Sequence, residues 1–134
     1  MESGIKISFE NKYQKFIQCN ADMTVCLTSD DTIYSQYSIF YIFFFISQTH
    51  KNKKKRWIAE KNGENWTFKS HYGTYLRGED NGGLCCSKTC LEAENWTLKI
   101  DGNYATLKSN FNTFIHSELY LSNEDDQDWK INKK

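Results

Sequence analysis

Proline is absent from this chain, methionine occurs twice, and histidine occurs three times. Histidine is the side chain whose ordinary pKa suits a switch near neutral pH, so so few of them exclude a large pH-driven change of charge. No apolar run exceeds eight residues, the longest being 39–46. A membrane-spanning helix needs about 20, so none is expected. The first twenty residues alternate and carry charge, which predicts no N-terminal signal peptide. Cysteine is odd in number, with five residues at Cys19, Cys26, Cys85, Cys86 and Cys90. That count argues against a disulfide framework and for reduced thiols in a cytoplasmic setting. No nucleophile–base pair, phosphate-cradling glycine loop or HExxH motif is present, so neither an enzyme nor a cofactor is expected. No stretch sustains a 3.6-residue apolar period, which leaves helices without support.

What the sequence does have is a phrase written three times. GIKISFENKYQKFI (4–17) returns as GENWTFKSHYGTYL (63–76) and as GNYATLKSNFNTFI (102–115). Gly4, Gly63 and Gly102 align, as do Phe9, Phe68 and Leu107. Tyr13, Tyr72 and Phe111 coincide, then Phe16, Tyr75 and Phe114, and finally Ile17, Leu76 and Ile115. Each copy continues through polar turns to a tryptophan: Trp57, Trp96 or Trp129. Self-similarity at a fixed period decides architecture before any single residue does. WTFKSH and ATLKSN alternate apolar and polar as half-buried strands do, and the turns are rich in Gly, Asn, Asp and Ser. The expectation is an all-β domain of three units with about four short strands each, closed so that few edges remain. The repeated Trp, Phe, Tyr and Leu are expected to share one core. A unit of this size cannot bury enough surface alone.

The period also measures an interruption. Gly63 to Gly102 is 39 residues, whereas Gly4 to Gly63 is 59. Removing 37–56, twenty residues, restores 39. The single domain 1–134 therefore divides into repeats 1–36, 57–95 and 96–134 of about 40 residues, with an insertion at 37–56. The insertion, YSIFYIFFFISQTHKNKKKR, is aromatic and then basic. Three readings compete: a loop making peripheral contact with an anionic membrane, a hairpin docking a partner, or a translated intron. The intron is favoured by the restored period, by the A/T-only codon bias, and by the aggregation hazard of residues 42–46. Taking its five cations from the 17 leaves 12 against 17 acids, a net of −5. The repeated domain is acidic, which argues against nucleic-acid binding.

FKSHYGTYLRGED, echoed in LKSNFNTFIHSE, resembles the repeat of the hisactophilin and fascin actin-binding β-trefoil family. The resemblance covers the whole chain except 37–56. It implies a β-trefoil, and a non-enzymatic module that binds actin filaments in the cytoplasm or at the cell cortex. The hisactophilin abundance of histidine is missing, and Glu2 stands where a myristoylated glycine would be, so pH sensing is weakened and that anchor absent. Filament surfaces are acidic, so an acidic domain needs a local basic patch. The candidates are Lys12 and Lys15, then Lys69, His71 and Arg77, then Lys108 and His116. Lys69 and Lys108 also read simply as solvated strand positions.

The alternative is a carbohydrate-binding trefoil lectin. Ricin-type lectins end their repeats in Gln-x-Trp, which here occurs once, at Gln127 to Trp129. Aromatic residues on turns offer stacking surfaces for a sugar. Other motifs carry little. Asn65-Trp66-Thr67 and Asn95-Trp96-Thr97 match the glycosylation acceptor by coincidence, because their tryptophans serve the repeat. Glu124, Asp125, Asp126 and Asp128 lack a calcium-loop pattern. Cys85, Cys86 and Cys90 lack the paired spacing of a zinc site. Cys26 and Cys86 read as equivalent buried packing positions.

Overall fold

A computed structural model describes residues 1–29, 54–125 and 128–133. Most of the 37–56 segment, and with it every reading of that insertion, lies outside the described residues. The chain is all-β, with twelve strands in one antiparallel sheet among the described residues. They are β1 (Ile5–Glu10), β2 (Lys15–Cys19), β3 (Val25–Ser29), β4 (Trp57–Asn62), β5 (Asn65–Lys69) and β6 (Tyr75–Gly78). There follow β7 (Leu84–Ser87), β8 (Thr97–Asp101), β9 (Tyr104–Lys108), β10 (Phe114–Ile115), β11 (Leu121–Ser122) and β12 (Trp129–Lys133). A 3-10 turn, Glu92–Glu94, precedes β8. No described helix is long and apolar enough to cross a membrane.

Six of the strands make a ring. β9 pairs with β12, β12 with β1, β1 with β4, β4 with β5, and β8 with β9. The last gap is bridged by a reciprocal backbone pair. Trp66 N donates to Trp96 O at 2.7 Å, and Trp96 N donates to Trp66 O at 2.8 Å. The other six strands form three hairpins over one end: β2–β3, β6–β7 and β10–β11. These are tied together by Cys86 N to Met23 O (2.8 Å), Leu121 N to Gly82 O (2.9 Å) and Asn11 Nδ2 to Ser117 O (2.8 Å). Closing the ring removes the unpaired edges that would otherwise template aggregation.

The tryptophans at the ends of the phrase build the core. Trp57, Trp96 and Trp129 are fully buried. Each indole N–H donates to the carbonyl of the aliphatic residue that closes the phrase preceding it in the chain. The acceptors are Ile17 O (3.1 Å), Leu76 O (3.0 Å) and Ile115 O (3.0 Å). A buried indole needs such a partner. Phe9, Phe68 and Leu107 fill the ring between them, with Phe9 and Phe68 edge-to-face at 5.0 Å.

Three expectations are corrected. The ring strands do not alternate: Trp66, Thr67 and Phe68 are buried consecutively, as are Ala105, Thr106 and Leu107. Their outward positions hold small hydroxyl residues, Ser8, Thr67 and Thr106, which neighbouring chain covers. Tyr13, Tyr72 and Phe111 are not core residues; they are 55%, 39% and 41% exposed. They ride on turns of one design. Asn11 Oδ1, Ser70 Oγ and Ser109 Oγ each accept from the backbone N–H groups two and four residues on. The fourth residue of each turn, Gln14, Gly73 or Asn112, has φ of 59°, 78° or 61°. Cys26 and Cys86 are not equivalent either. Leu27 lies opposite Ile17, Cys86 opposite Leu76, and Leu121 opposite Ile115, so one residue of register separates the two cysteines.

Two short hairpins are set by glycine. Asn62 pairs with Asn65 and Asp101 with Tyr104, leaving two-residue loops that begin at Gly63 (φ 65°) and Gly102 (φ 64°). A glycine in this place matches the twist of the flanking strands. Gly78 serves space instead. A Cβ there would lie 3.1 Å from Leu121 Cδ1 and Ser109 Cβ, and 3.2 Å from the Trp96 ring. Gly78→Ala is expected to destabilise the fold by about 1–3 kcal/mol through overpacking. Urea unfolding would show it, and an unchanged midpoint would refute it.

Candidate functional site

The ring sets three equivalent rows of side chains on its outer face. Residues opposite one another on adjacent strands share a face, so each row can be read from register. On β9, β12 and β1 the row is Tyr104, Lys130, Glu10. On β1, β4 and β5 it is Lys6, Ile58, Lys69. On β5, β8 and β9, Thr97 lies opposite Lys108, and its hydroxyl is 3.5 Å from Asn65 Oδ1. The residue before each buried tryptophan joins its row: Asp128, Arg56 or Asn95. The backbone is the same three times, and the chemistry is not.

The first row forms the wall of an open cleft of about 620 Å³. It is bounded by the β1–β2 turn, with Asn11, Lys12 and Gln14, and by Ser117. Asn11 is its floor rather than a free ligand group, since its amide holds Ser117 O and two turn N–H groups. Glu10 accepts from Asn132 Nδ2 at 3.0 Å, which fixes one carboxylate oxygen. Asp128 and Lys130 are exposed, and the Tyr104 ring is 51% exposed. No other contact engages these three side chains among the described residues. The cleft thus presents an aromatic face beside two carboxylates, an ammonium group and amide donors. Such a mixture of one flat apolar surface and convergent polar groups fixes a small polar ligand in orientation.

The seven cations expected to form one patch are scattered. Lys12 lines this cleft, with its ammonium 5.3 Å from the Tyr13 ring. Lys15 begins β2 and is exposed. Lys69 and His71 line a different cleft. Arg77 is already engaged: its guanidinium meets Glu79 at 2.9 Å and the fully buried Glu94 at 3.3 Å. Glu79 is the main cause of the raised Arg77 pKa, with Glu94 adding to it. Lys108 ends β9 on the third row. His116 stacks on Tyr120 at 4.4 Å, and its Nδ1 accepts from Glu118 N. Only Lys69 and His71 are brought together.

All five cysteines are free, with Cys19 and Cys86 buried in the core. Cys85 and Cys86 are adjacent on β7, so they point to opposite faces. The Cys85 thiol donates to Glu79 Oε1 at 3.2 Å and is pushed up to about 11, by burial first and by Glu79 next. Cys90 is exposed, yet it too is shifted upward, by desolvation and by Glu94 and Glu60. The Cys19 thiol lies 3.5 Å from Thr74 Oγ1 and donates to Asn20 O at 3.4 Å. The neighbouring Cys86 is the chief influence lowering Cys19 to about 6, helped by Thr74 and Ser70, while Cys19 and burial push Cys86 up. None of this assembles three thiolates around one metal. Of the acidic turn, Glu124, Asp125 and Asp128 are all exposed, and Asp126 lies outside the described residues.

Charge alone does not single out Tyr104, Asp128, Lys130 and Glu10. The aligned copies held the signal. The position two after the leading glycine reads Lys6, Asn65, Tyr104, a variable place beside constant apolar ones.

No protein-family model matches the chain, and no curated protein does. Solved structures do. A GlcNAcα1-4Gal-releasing endo-β-galactosidase from Clostridium perfringens superposes with a TM-score of 0.71 at 15% identity, over 97% of this chain. SeviL bound to asialo-GM1 saccharide superposes with a TM-score of 0.70 at 10% identity, over 98% of both chains. The fold is β-trefoil-like. The chain spans 32% of the length of the galactosidase. Both neighbours are named for carbohydrate and neither for actin. Together with the scattering of the cations, this overturns the expected actin-filament module and its actin partner.

Proposed function

We propose that this chain is a carbohydrate-binding module. On this reading it is a β-trefoil of three repeats of about 40 residues, at 1–36, 57–95 and 96–134, the first interrupted at 37–56. Its saccharide site is the cleft of Tyr104, Asp128 and Glu10. The observation that carries the reading is the half-exposed Tyr104 ring beside an unengaged carboxylate in an open cleft of about 620 Å³. A pyranose has an apolar face of C–H groups and a rim of hydroxyls that both donate and accept. The ring takes the face, while Asp128, Glu10 and Lys130 take the rim. The fold neighbour that is bound to a saccharide supports the same ligand class.

Two carboxylates in one cleft also raise hydrolysis. A glycosidase needs one of its pair held protonated by burial. Asp128 is exposed and Glu10 is only partly buried, so the cleft is built to hold a sugar rather than to break one. The test is a glycan array probed with the 134-residue chain, followed by calorimetry on the sugars retained. A defined set of saccharides should bind and be recovered uncleaved. An array with nothing above background would refute the reading.

A further inference from the structure

The second row forms a cleft of different character. It holds about 330 Å³ and is lined by Lys6, Arg56, Ile58, Lys69, Ser70 and His71. It is the counterpart of the saccharide cleft, moved on by one copy. Lys6 stands where Tyr104 stands in the first, and Lys69 where Glu10 stands; Arg56, the last residue of the 37–56 segment, precedes Trp57 as Asp128 precedes Trp129. Every position that supplies an aromatic or a carboxylate there supplies a cation here. Among the described residues no carboxylate lines it.

The cations converge by construction. Lys6 lies opposite Ile58, and Ile58 opposite Lys69. Adjacent strands are about 4.8 Å apart, so the two lysines flank Ile58 one strand away on either side, their backbones about twice that distance from each other. Arg56 lies two residues before Ile58 and therefore shares its face of the strand. Its Nε is buried and makes no hydrogen bond. A buried donor without an acceptor is costly, and an anionic oxygen in the cleft would satisfy it. Like charges this close repel one another unless something neutralises them. This is unlike Arg77 on the next hairpin, which has Glu79 and Glu94. The third row has Asn65, Asn95 and Thr97 in these places and only Lys108 as a cation, so the feature belongs to one corner alone.

We propose that the cleft between β1, β4 and β5 is a second ligand site, which takes a tetrahedral oxyanion group: a sulfate or phosphate ester. That its carrier is an acidic saccharide rests on the reading above. The guanidinium supplies directed donors, the lysines supply point charge, and Ile58 is an apolar floor for the carbon bearing the ester. The chain then has two unlike saccharide corners on one ring, one for a neutral sugar and one for an acidic sugar.

The test is a titration of the isotope-labelled full chain, followed by amide NMR, with three probes: inorganic sulfate, galactose 3-sulfate and galactose. Sulfate and the sulfated sugar should shift amides of Lys6, Ile58, Lys69 and His71 saturably, and less so as salt is raised. Galactose should leave these amides unmoved. Lys6→Gln/Lys69→Gln, which keeps both stems, should weaken the sulfated probe about tenfold or more. Arg56→Ala should do likewise, and each variant is first checked for unchanged near-UV dichroism. Lack of saturation, or equal affinity in variants that fold, would overturn the site. If sulfate binds here while no array sugar binds at Tyr104, the oxyanion site stands and its saccharide carrier falls. Binding to vesicles containing phosphatidylserine, with none to galactose 3-sulfate, would likewise overturn the saccharide carrier.

Discussion

Trp96→Ala is expected to leave a chain that scarcely folds at room temperature. Trp96 is fully buried, and its indole N–H is the partner of Leu76 O at 3.0 Å. Removing a buried aromatic from a tight core costs about 3–5 kcal/mol. The stranded Leu76 carbonyl adds about 1–3 kcal/mol where water cannot reach it. Domains of this kind are stable by only about 5–15 kcal/mol. The loss also falls at a weak point of the ring, since Trp96 carries the two backbone bonds that join β5 to the segment before β8. Trp96→Phe separates the contributions. It keeps most of the volume, loses the indole donor, and should cost roughly 2 kcal/mol. Urea unfolding followed by circular dichroism measures both. An alanine variant within about 1 kcal/mol of the parent would show that the three indole bonds are not what closes the core.

The second large effect is on ligand binding. Tyr104→Ala should abolish measurable retention of the saccharides selected on the array, a loss of about tenfold or more in affinity. Aromatic stacking contributes about 0.5–1.5 kcal/mol beyond the area it buries, and among the described residues the ring is the one flat apolar surface lining that cleft. Asp128→Asn should weaken binding less, because an amide still offers one acceptor to a hydroxyl. Tyr104→Trp should restore binding, which a merely structural tyrosine would not predict. Stability should hardly move, because the side chain is half exposed and β9 keeps its backbone pairs. Calorimetry with the array-selected sugar decides it. Equal affinities for Tyr104→Ala and the parent would place the sugar elsewhere on the molecule.

The sequence revealed the core more fully than the surface. Three aligned tryptophans, three aligned aliphatic residues and a common leading glycine are enough to anticipate an all-β domain, because burial tolerates little variation in shape. The copies could not show which aligned aromatics turn outward. Tyr13, Tyr72 and Phe111 are as regular as Phe9 and Phe68, yet they sit on turns whose geometry comes from Asn11, Ser70 and Ser109 accepting backbone N–H groups. Regularity marks a constraint without saying whether the constraint is packing or turn shape. The sites were legible only in part for the opposite reason. Lys69 and His71 could be named from charge, but Lys6 and Arg56 join them only through the register of three strands distant in sequence. Tyr104 and Asp128 come together in the same way.

The three turns are wired alike while their exposed residues differ: Lys-Tyr-Gln at 12–14, His-Tyr-Gly at 71–73 and Asn-Phe-Asn at 110–112. Since the first residue of each turn accepts the same two N–H groups, five-residue cassettes should be exchangeable between corners without disturbing the tryptophan core. Placing 70–74 at 11–15 would move a histidine to the rim of the Tyr104 cleft, at the cost of the Asn11–Ser117 tie. The molecule is thereby a natural scaffold for recombination. Its frame can stay fixed while the surface chemistry of each corner drifts on its own.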